Sequence, residues 1–319
     1  MTEIIHKRIH LDTDIGGDLD DLCALALLLR WPGVDITGIT TMTEEDGRRV
    51  GYVNYVLGLE GRQTIPIAAG VDVSAGTYRY KPGFPPDDEN WPEPIPRLPG
   101  TPDAALALVK QSIEQGAVVV GIGPFTNLAL LERQYPGILK QADLVLMGGW
   151  VFGPRPGFPQ WTNDYDYNLQ LDVDSAHYVL THSHPTIVPL EMSAQTALRR
   201  AYLTGLAQAG VLGRLIVRQA EFCAHSDQFE NLYGATCPGL PDDIINFQHD
   251  PLACAIALGW RQGVTIQTVP LQYEIRDGWL HETPAEDGHH AQVVTEIDGE
   301  QFNEFWYRIV SGQSGDSTS

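Results

Sequence analysis

Positive charge is scarce in this 319-residue chain: 20 Lys and Arg face 41 Asp and Glu, a formal net charge of −21 with His neutral. A protein so acidic is repelled by phosphate backbones and by anionic lipid surfaces, and no basic stripe offsets the repulsion. Neither nucleic acid nor membrane is expected as a partner. No segment approaches the roughly 18 consecutive apolar residues of a spanning helix. The start, Met1 to His10, lacks an apolar signal core followed by a small-residue cleavage site. The expected compartment is the cytoplasm. Cysteine is sparse as well: Cys23, Cys223, Cys237 and Cys254 form no Cys-x-x-Cys pair, which favours buried reduced thiols over disulfide or zinc chemistry. Histidine is missing altogether between His10 and His177.

What is present is a large core. Hydrophobic residues make up 43% and charged residues 19%, a globular composition. The periodicity reads as a strand over Ile4–Leu11, a helix over Leu22–Arg30 stopped by Trp31, Pro32 and Gly33, and a strand over Val34–Thr41. The alternation recurs with a helix near Asp103–Glu114, a strand at Ala117–Ile122, a helix from Leu128 and a strand at Asp143–Met147. This pattern predicts one α/β domain over residues 1–310, a mostly parallel central sheet with helices on both faces, and a frayed tail over 311–319. Sites in such sheets lie at the carboxyl ends of strands. Two segments break the rhythm. Val73–Thr101 belongs to a stretch with eight prolines from Pro82 to Pro102 and is expected to be irregular; Gly148–Tyr167 is a Gly/Pro/aromatic loop directly after a strand.

Five aspartates, Asp12, Asp14, Asp18, Asp20 and Asp21, fall within ten residues at the end of the first predicted strand, with Gly16 and Gly17 between them. Helix capping explains one or two of them. Five like charges at one strand end raise one another's pKa unless a cation compensates. An all-oxygen set suits a hard ion such as Ca²⁺ or Mg²⁺. An EF-hand does not fit, because Gly16 occupies the third ligand place and Cys23 the twelfth. An aspartyl-phosphate phosphatase of the haloacid-dehalogenase type would use Asp12 and Asp14, although Gly16 departs from its pattern.

The string Asp12-Thr-Asp-Ile-Gly-Gly-Asp-Leu-Asp-Asp21 closely resembles the N-terminal signature of the inosine/uridine-preferring nucleoside hydrolase family. Three further segments match in order: Gly123-Pro-Phe-Thr-Asn127, then Asp166-Tyr-Asn168 with Met147-Gly-Gly149 ahead of it and Asp172 behind, then His249-Asp-Pro-Leu-Ala253. The resemblance spans about residues 4 to 260. It implies Ca²⁺-dependent cleavage of a ribonucleoside to ribose and free base, in a homodimer or homotetramer. The implied ion ligands are Asp14, Asp21, Asp250 and the main-chain carbonyl of Thr126, with Asp20 as general base and His249 near the departing base. Asn168, Asp166, Glu45, Gln160 and Met147 would surround the nucleoside. Glu45, Gln160 and Asp166 depart from the family's Asn, Asn and Glu, which bears on contacts to the sugar hydroxyls. Trp91, Trp150, Trp161 and Tyr233 are the aromatic candidates for stacking on the base, and Tyr78 and Tyr80 stand in the proline-rich loop. Two rival readings remain: the phosphatase, and a non-catalytic nucleoside-binding homologue.

Overall fold

The computed structural model describes residues 6–72 and 83–313. The strands are β1 (Lys7–Thr13), β2 (Val34–Thr41), β3 (Ile67–Ala69), β4 (Val118–Gly121), β5 (Asp143–Met147), β6 (Thr186–Val188), β7 (Ala197–Arg199), β8 (Ile244–Phe247), β9 (Val264–Arg276), β10 (Trp279–Pro284) and β11 (His289–Ile297). The helices are α1 (Asp20–Arg30), α2 (Arg48–Leu59), α3 (Asp87–Asn90), α4 (Pro102–Glu114), α5 (Thr126–Gln134) and α6 (Tyr167–Leu171), followed by α7 (Val173–His182), α8 (Leu190–Ser193), α9 (Leu203–Gln208), α10 (Gly210–Ser226), α11 (His249–Ala257) and α12 (Gly299–Ser311).

Among the described residues the main sheet has nine strands in the order β10-β9-β11-β6-β5-β4-β1-β2-β3. It is parallel from β3 through β11 and antiparallel only where β9 pairs β11 and β10. This is the mostly parallel sheet that the βαβ rhythm predicts. The chain winds outward from β1 through β2 and β3, then restarts at β4 on the other side of β1. That reversal is the kind of switch point where an α/β sheet opens a crevice. Asp12 pairs with Thr40 on one side and Gly121 on the other, so the loops after β1, β2 and β4 leave from one edge.

Helix α1 is apolar all round because it has no solvent face. Leu22 to Leu28 are each at most 1% exposed, consistent with a helix enclosed on all sides. Trp306 of α12 seals one side and donates its indole N–H to the Cys23 carbonyl at 3.1 Å. All four cysteines are free and buried, as their scatter implies. No helix among the described residues is long and apolar enough to cross a membrane.

Several boundaries shift. Strand β1 starts at Lys7 and continues to Thr13, helix α1 starts at Asp20 and α5 at Thr126; Ile4 and Ile5 lie outside the described residues. Helix α12 ends at Ser311, one residue into the segment expected to fray, and residues 314–319 are outside the described part. The proline-rich segment is not wholly irregular: it contains α3. Residues 73–82, including Tyr78 and Tyr80, lie outside the described part.

Trp91 is a correction. Rather than facing a ligand it is 2% exposed, stacked on Tyr52 with ring centroids 4.3 Å apart and planes at 11°. The Trp91→Ala variant is predicted to lose about 3–5 kcal/mol of stability through the cavity left behind, measured by chemical denaturation.

Candidate active site

Helix α1 begins without a side-chain cap, its N-cap position being Leu19 in helical conformation. Asp20 and Asp21 therefore do not serve as caps. Both are buried, 6% and 4% exposed, in the first turn of α1. Helix α11 likewise starts at His249 with no side-chain cap, which leaves the carboxylate of Asp250 uncommitted to its own helix. Asp20, Asp21 and Asp250 each present an oxygen, and the three lie within 4.8 Å of one another. The Asp250 backbone N–H donates to Asp20 Oδ2 at 3.4 Å, and the Thr13 hydroxyl donates to Asp21. Two helix starts, separated by most of the chain, thus meet at the crevice beside β1.

Asp14, Asp18, Asp20, Asp21 and Asp250 share a cavity of about 310 Å³ with Arg49, Ile122, Met147, Trp161, Tyr165, Asp166, Tyr167, Asn168, Leu190 and His249. This volume is at the small end of ligand pockets. Gly123 is required by the packing, since a Cβ there would stand 2.7 Å from Asp14 Oδ1.

Burial pushes every carboxyl of the group upward. Asp14 rises to about 6 from desolvation, with Arg49 opposing the shift. Asp20, Asp21 and Asp250 rise well above the ordinary carboxylate range from desolvation first and then from one another's charge. Such crowding is unfavourable without a cation. Arg49 supplies one: it is 1% exposed, and its guanidinium donates to the carbonyls of Asp14, Ile15 (2.9 Å) and Thr43 (3.0 Å). One guanidinium occupied by carbonyls does not balance the set. A hard divalent ion with oxygen ligands fits the group of Asp20, Asp21 and Asp250 in donor type and in spacing.

Residues expected at the site divide into two groups. Asp14, Asp20, Asp21, Asp250, His249, Asp166, Asn168 and Met147 line the cavity. Thr126 is wholly buried at the start of α5 and is not among the lining residues; its hydroxyl donates to Asp172 Oδ2 at 2.6 Å. Glu45 points away, paired with Arg48 at 2.8 Å and Arg97 at 3.5 Å, while Glu44 beside it is the buried carboxylate. Gln160 folds onto its own loop, donating to the carbonyls of Arg155 (3.1 Å) and Phe158 (2.7 Å). Gln160 and Tyr233 line a second hollow of about 600 Å³ that shares only Trp161 with the first. Trp150 is not among the lining residues; its backbone N–H donates to Glu282 Oε2 at 2.9 Å.

Asp166 lines the cavity yet is 1% exposed, because its carboxylate accepts from the backbone N–H groups of Gly149 and of Leu169 (3.1 Å). The side chain is one methylene shorter than glutamate, which keeps it against the backbone. Asn168 uses its amide N–H₂ on the carbonyls of Ile122 and Met147, both at 3.1 Å. His249 Nδ1 meets the Ser193 hydroxyl at 2.8 Å. Burial lowers the His249 pKa to about 3, so its ring is neutral at pH 7 in this cavity.

Arg49, Asn246 and Ser193 were not legible as site residues. Asn246 holds Asp18 Oδ1 at 2.5 Å from β8, a pairing between residues 228 apart in sequence. The signal for Arg49 was its place directly after the loop that follows β2, at a strand's carboxyl end. Asp12 is 2% exposed and outside the cavity, its Oδ1 taken by Thr40 (2.6 Å) and Asn127 (2.8 Å). A phosphatase nucleophile needs to face substrate, so this burial argues against the aspartyl-phosphate reading.

The fold and the site together are those of an α/β hydrolytic enzyme with an acidic metal pocket. The profile of the inosine-uridine preferring nucleoside hydrolases matches residues 9–304. The pyrimidine-specific ribonucleoside hydrolase RihB of Escherichia coli (strain SE11) is 26% identical over 263 residues, covering 75% of this chain and 80% of that protein. Among solved structures, a plant nucleoside hydrolase, PpNRh1, superposes with TM-score 0.76 at 18% identity, covering 96% of this chain and 99% of the other. The purine-preferring ribonucleoside hydrolase of Gardnerella vaginalis gives TM-score 0.74 at 20% identity, covering 96% and 98%. The chain belongs to the inosine-uridine preferring nucleoside hydrolase family. It is a metal-dependent ribonucleoside hydrolase that acts on the N-glycosidic bond.

The raised carboxyls set the pH dependence of the metal-free protein. Asp14 and Asp166 stand at about 6 and Glu191, itself buried, at about 7, against roughly 4 in an unfolded chain. Their stabilising contribution is full below about pH 4 and is lost as pH rises through 6 and 7. With chelator present, the melting temperature is predicted to fall between pH 5.5 and pH 8, read by thermal denaturation across that range.

Proposed function

We propose that this enzyme hydrolyses a ribonucleoside to ribose and free base with Ca²⁺ as its ion. The supporting observation is the convergence of Asp20, Asp21 and Asp250 within 4.8 Å in a cavity that Trp161, Tyr165, Asp166 and Asn168 also line. Asp21 and Asp250 of this group are ligands in this reading, Asp14 and the Thr126 carbonyl being added on the family resemblance, and Asp20 is left as the base. When bound, the ion anchors the ribose diol and makes an adjacent water more acidic.

The chain's own groups do the rest. Asp20 accepts the proton of the attacking water as the C1′–N bond breaks. The surrounding carboxylates favour the positive charge that develops on the sugar, the oxocarbenium character common to glycoside hydrolysis. Asn168 keeps its amide oxygen side available for a sugar hydroxyl once its N–H₂ is spent on the two carbonyls. The Ser193 hydroxyl is 2.8 Å from His249 Nδ1 but 3.2 Å from the Leu190 carbonyl. In this reading His249 stands near the departing base and assists its departure. A cytoplasmic homodimer or homotetramer is part of the same proposal, tested by cell fractionation and by sedimentation.

Three outcomes are expected. Incubation with inosine, uridine and a generic phosphomonoester releases reducing sugar and no phosphate; phosphate without sugar overturns the reading. Asp20→Asn lowers kcat by about 10²–10⁴-fold with an unchanged circular dichroism spectrum; near-normal turnover in that variant removes the base assignment. Chelation abolishes activity and added Ca²⁺ restores it.

A further inference from the structure

We propose that Glu191 and Glu282 are positioning residues for the nucleoside: with Asp166 they grip the backbone of residues 149–152 and so fix the part of the cavity wall formed by Met147, Asp166, Asn168 and Leu190. The inference rests on the nucleoside-hydrolase reading and extends it to two glutamates that are not among the lining residues.

Two glycines turn the chain out of β5. Gly148 and Gly149 have φ of 138° and 105°, in the region that favours glycine. From there successive N–H groups run onto acids. The Gly149 N–H donates to Asp166, and the Trp150 N–H to Glu282 Oε2 at 2.9 Å. The Val151 and Phe152 N–H groups both donate to Glu191 Oε1, at 2.9 and 2.8 Å. Consecutive N–H groups in a turn make a concavity suited to anions, and here three carboxyls of the same chain fill it. They come from separate elements: Asp166 at the N-cap of α6, Glu191 in α8 and Glu282 in β10.

Beyond its own backbone, each glutamate side chain bonds only this loop among the described residues. Glu191 is 2% and Glu282 1% exposed, yet Glu191 Oε2 and Glu282 Oε1 have no hydrogen-bond partner there. No Lys or Arg pairs with either among the described residues. A buried carboxyl with an oxygen left over is unfavourable for the fold. What the pair supplies is a fixed loop.

That loop is continuous with the cavity. Met147, directly before the glycines, lines it, and its carbonyl accepts from the Asn168 amide at 3.1 Å. Leu190, directly before Glu191, also lines it, and its N–H donates to the Gly149 carbonyl at 2.8 Å. Asp166 both lines the cavity and holds the loop. The acidic end of the cavity stands on the segment from β1 to α1 and on α11, none of which contributes to the grip. Releasing the loop therefore misplaces the substrate and leaves the aspartates where they are, and small misplacements are costly to turnover.

The test begins with the wild type. Hydrogen exchange is expected to show the amides of residues 149–152 protected like those of β5, although they lie in a loop; rapid exchange there overturns the proposal without any variant. Glu191→Leu and Glu282→Leu are then compared with Glu191→Gln and Glu282→Gln by steady-state kinetics with inosine and calorimetric titration of Ca²⁺. The leucine variants are expected to lose the protection and about 10- to 100-fold in kcat/KM, mainly through KM, with the Kd for Ca²⁺ unchanged. The glutamine variants keep an acceptor oxygen for the same N–H groups and restore both protection and KM. Should a leucine variant not fold, Glu282→Asp, one methylene shorter, gives the same comparison. Unchanged kcat/KM in a variant whose loop has lost protection overturns the proposal, as does a parallel weakening of Ca²⁺ binding, which marks a general loss of structure. Failure of the wild type to release sugar from any nucleoside counts against the hydrolase reading instead, and amide protection still decides whether the glutamates hold the loop.

Discussion

Mutual repulsion among buried carboxylates is the constraint around which this molecule is arranged. Asp14, Asp20, Asp21 and Asp250 are each at most 8% exposed, and each has its pKa raised by removal from water and by neighbouring charge. Charges do not gather in a protein interior at random, because burying an unpaired one costs several kcal/mol. The rest of the structure keeps them together: an apolar α1 locked in the core, an α11 packed beside it, and Arg49 holding the loop between β1 and α1 through main-chain carbonyls. Such an arrangement is favourable only if something positive enters it.

Much of this was readable from the sequence, for stated reasons. The βαβ rhythm appears as apolar runs punctuated by Gly and Pro, and the strand-end position of the aspartates follows from it. The parallel sheet and the buried cysteines agree with that reading; Asp21 and Asp250 meet as expected of ion ligands, but the third acid of their close group is Asp20 rather than Asp14. Other features depended on tertiary packing and left no local trace. Trp91 looked like a loop aromatic, but α2 supplied Tyr52 to stack against it and the ring went into the core. Glu45 and Glu44 are adjacent acids, and only the course of the backbone decides that Glu44 turns inward while Glu45 pairs with arginines. His249 carried a familiar motif, yet burial makes it neutral, and no motif encodes local dielectric.

The same structure separates reaction chemistry from substrate choice. The acidic end is built on β1, α1 and α11, elements with few degrees of freedom. The aromatic end is built on the loop after β5 and on residues around β8, where side chains differ from the family pattern without disturbing the acids. Asp166 is tied to backbone N–H groups, and Gln160 to its own loop, so neither reaches as the family's longer or differently placed residues would.

The central claim is that residues far apart in sequence share one hard cation. Calorimetric titration of Ca²⁺ into chelator-stripped protein at pH 6 reads this most directly, performed in two buffers of different ionisation enthalpy. The account predicts one ion bound per chain with release of protons from the carboxyls it displaces, and loss of binding when Asp21 and Asp250 are both replaced by Asn. Absence of binding, or binding that survives the double replacement, would contradict it.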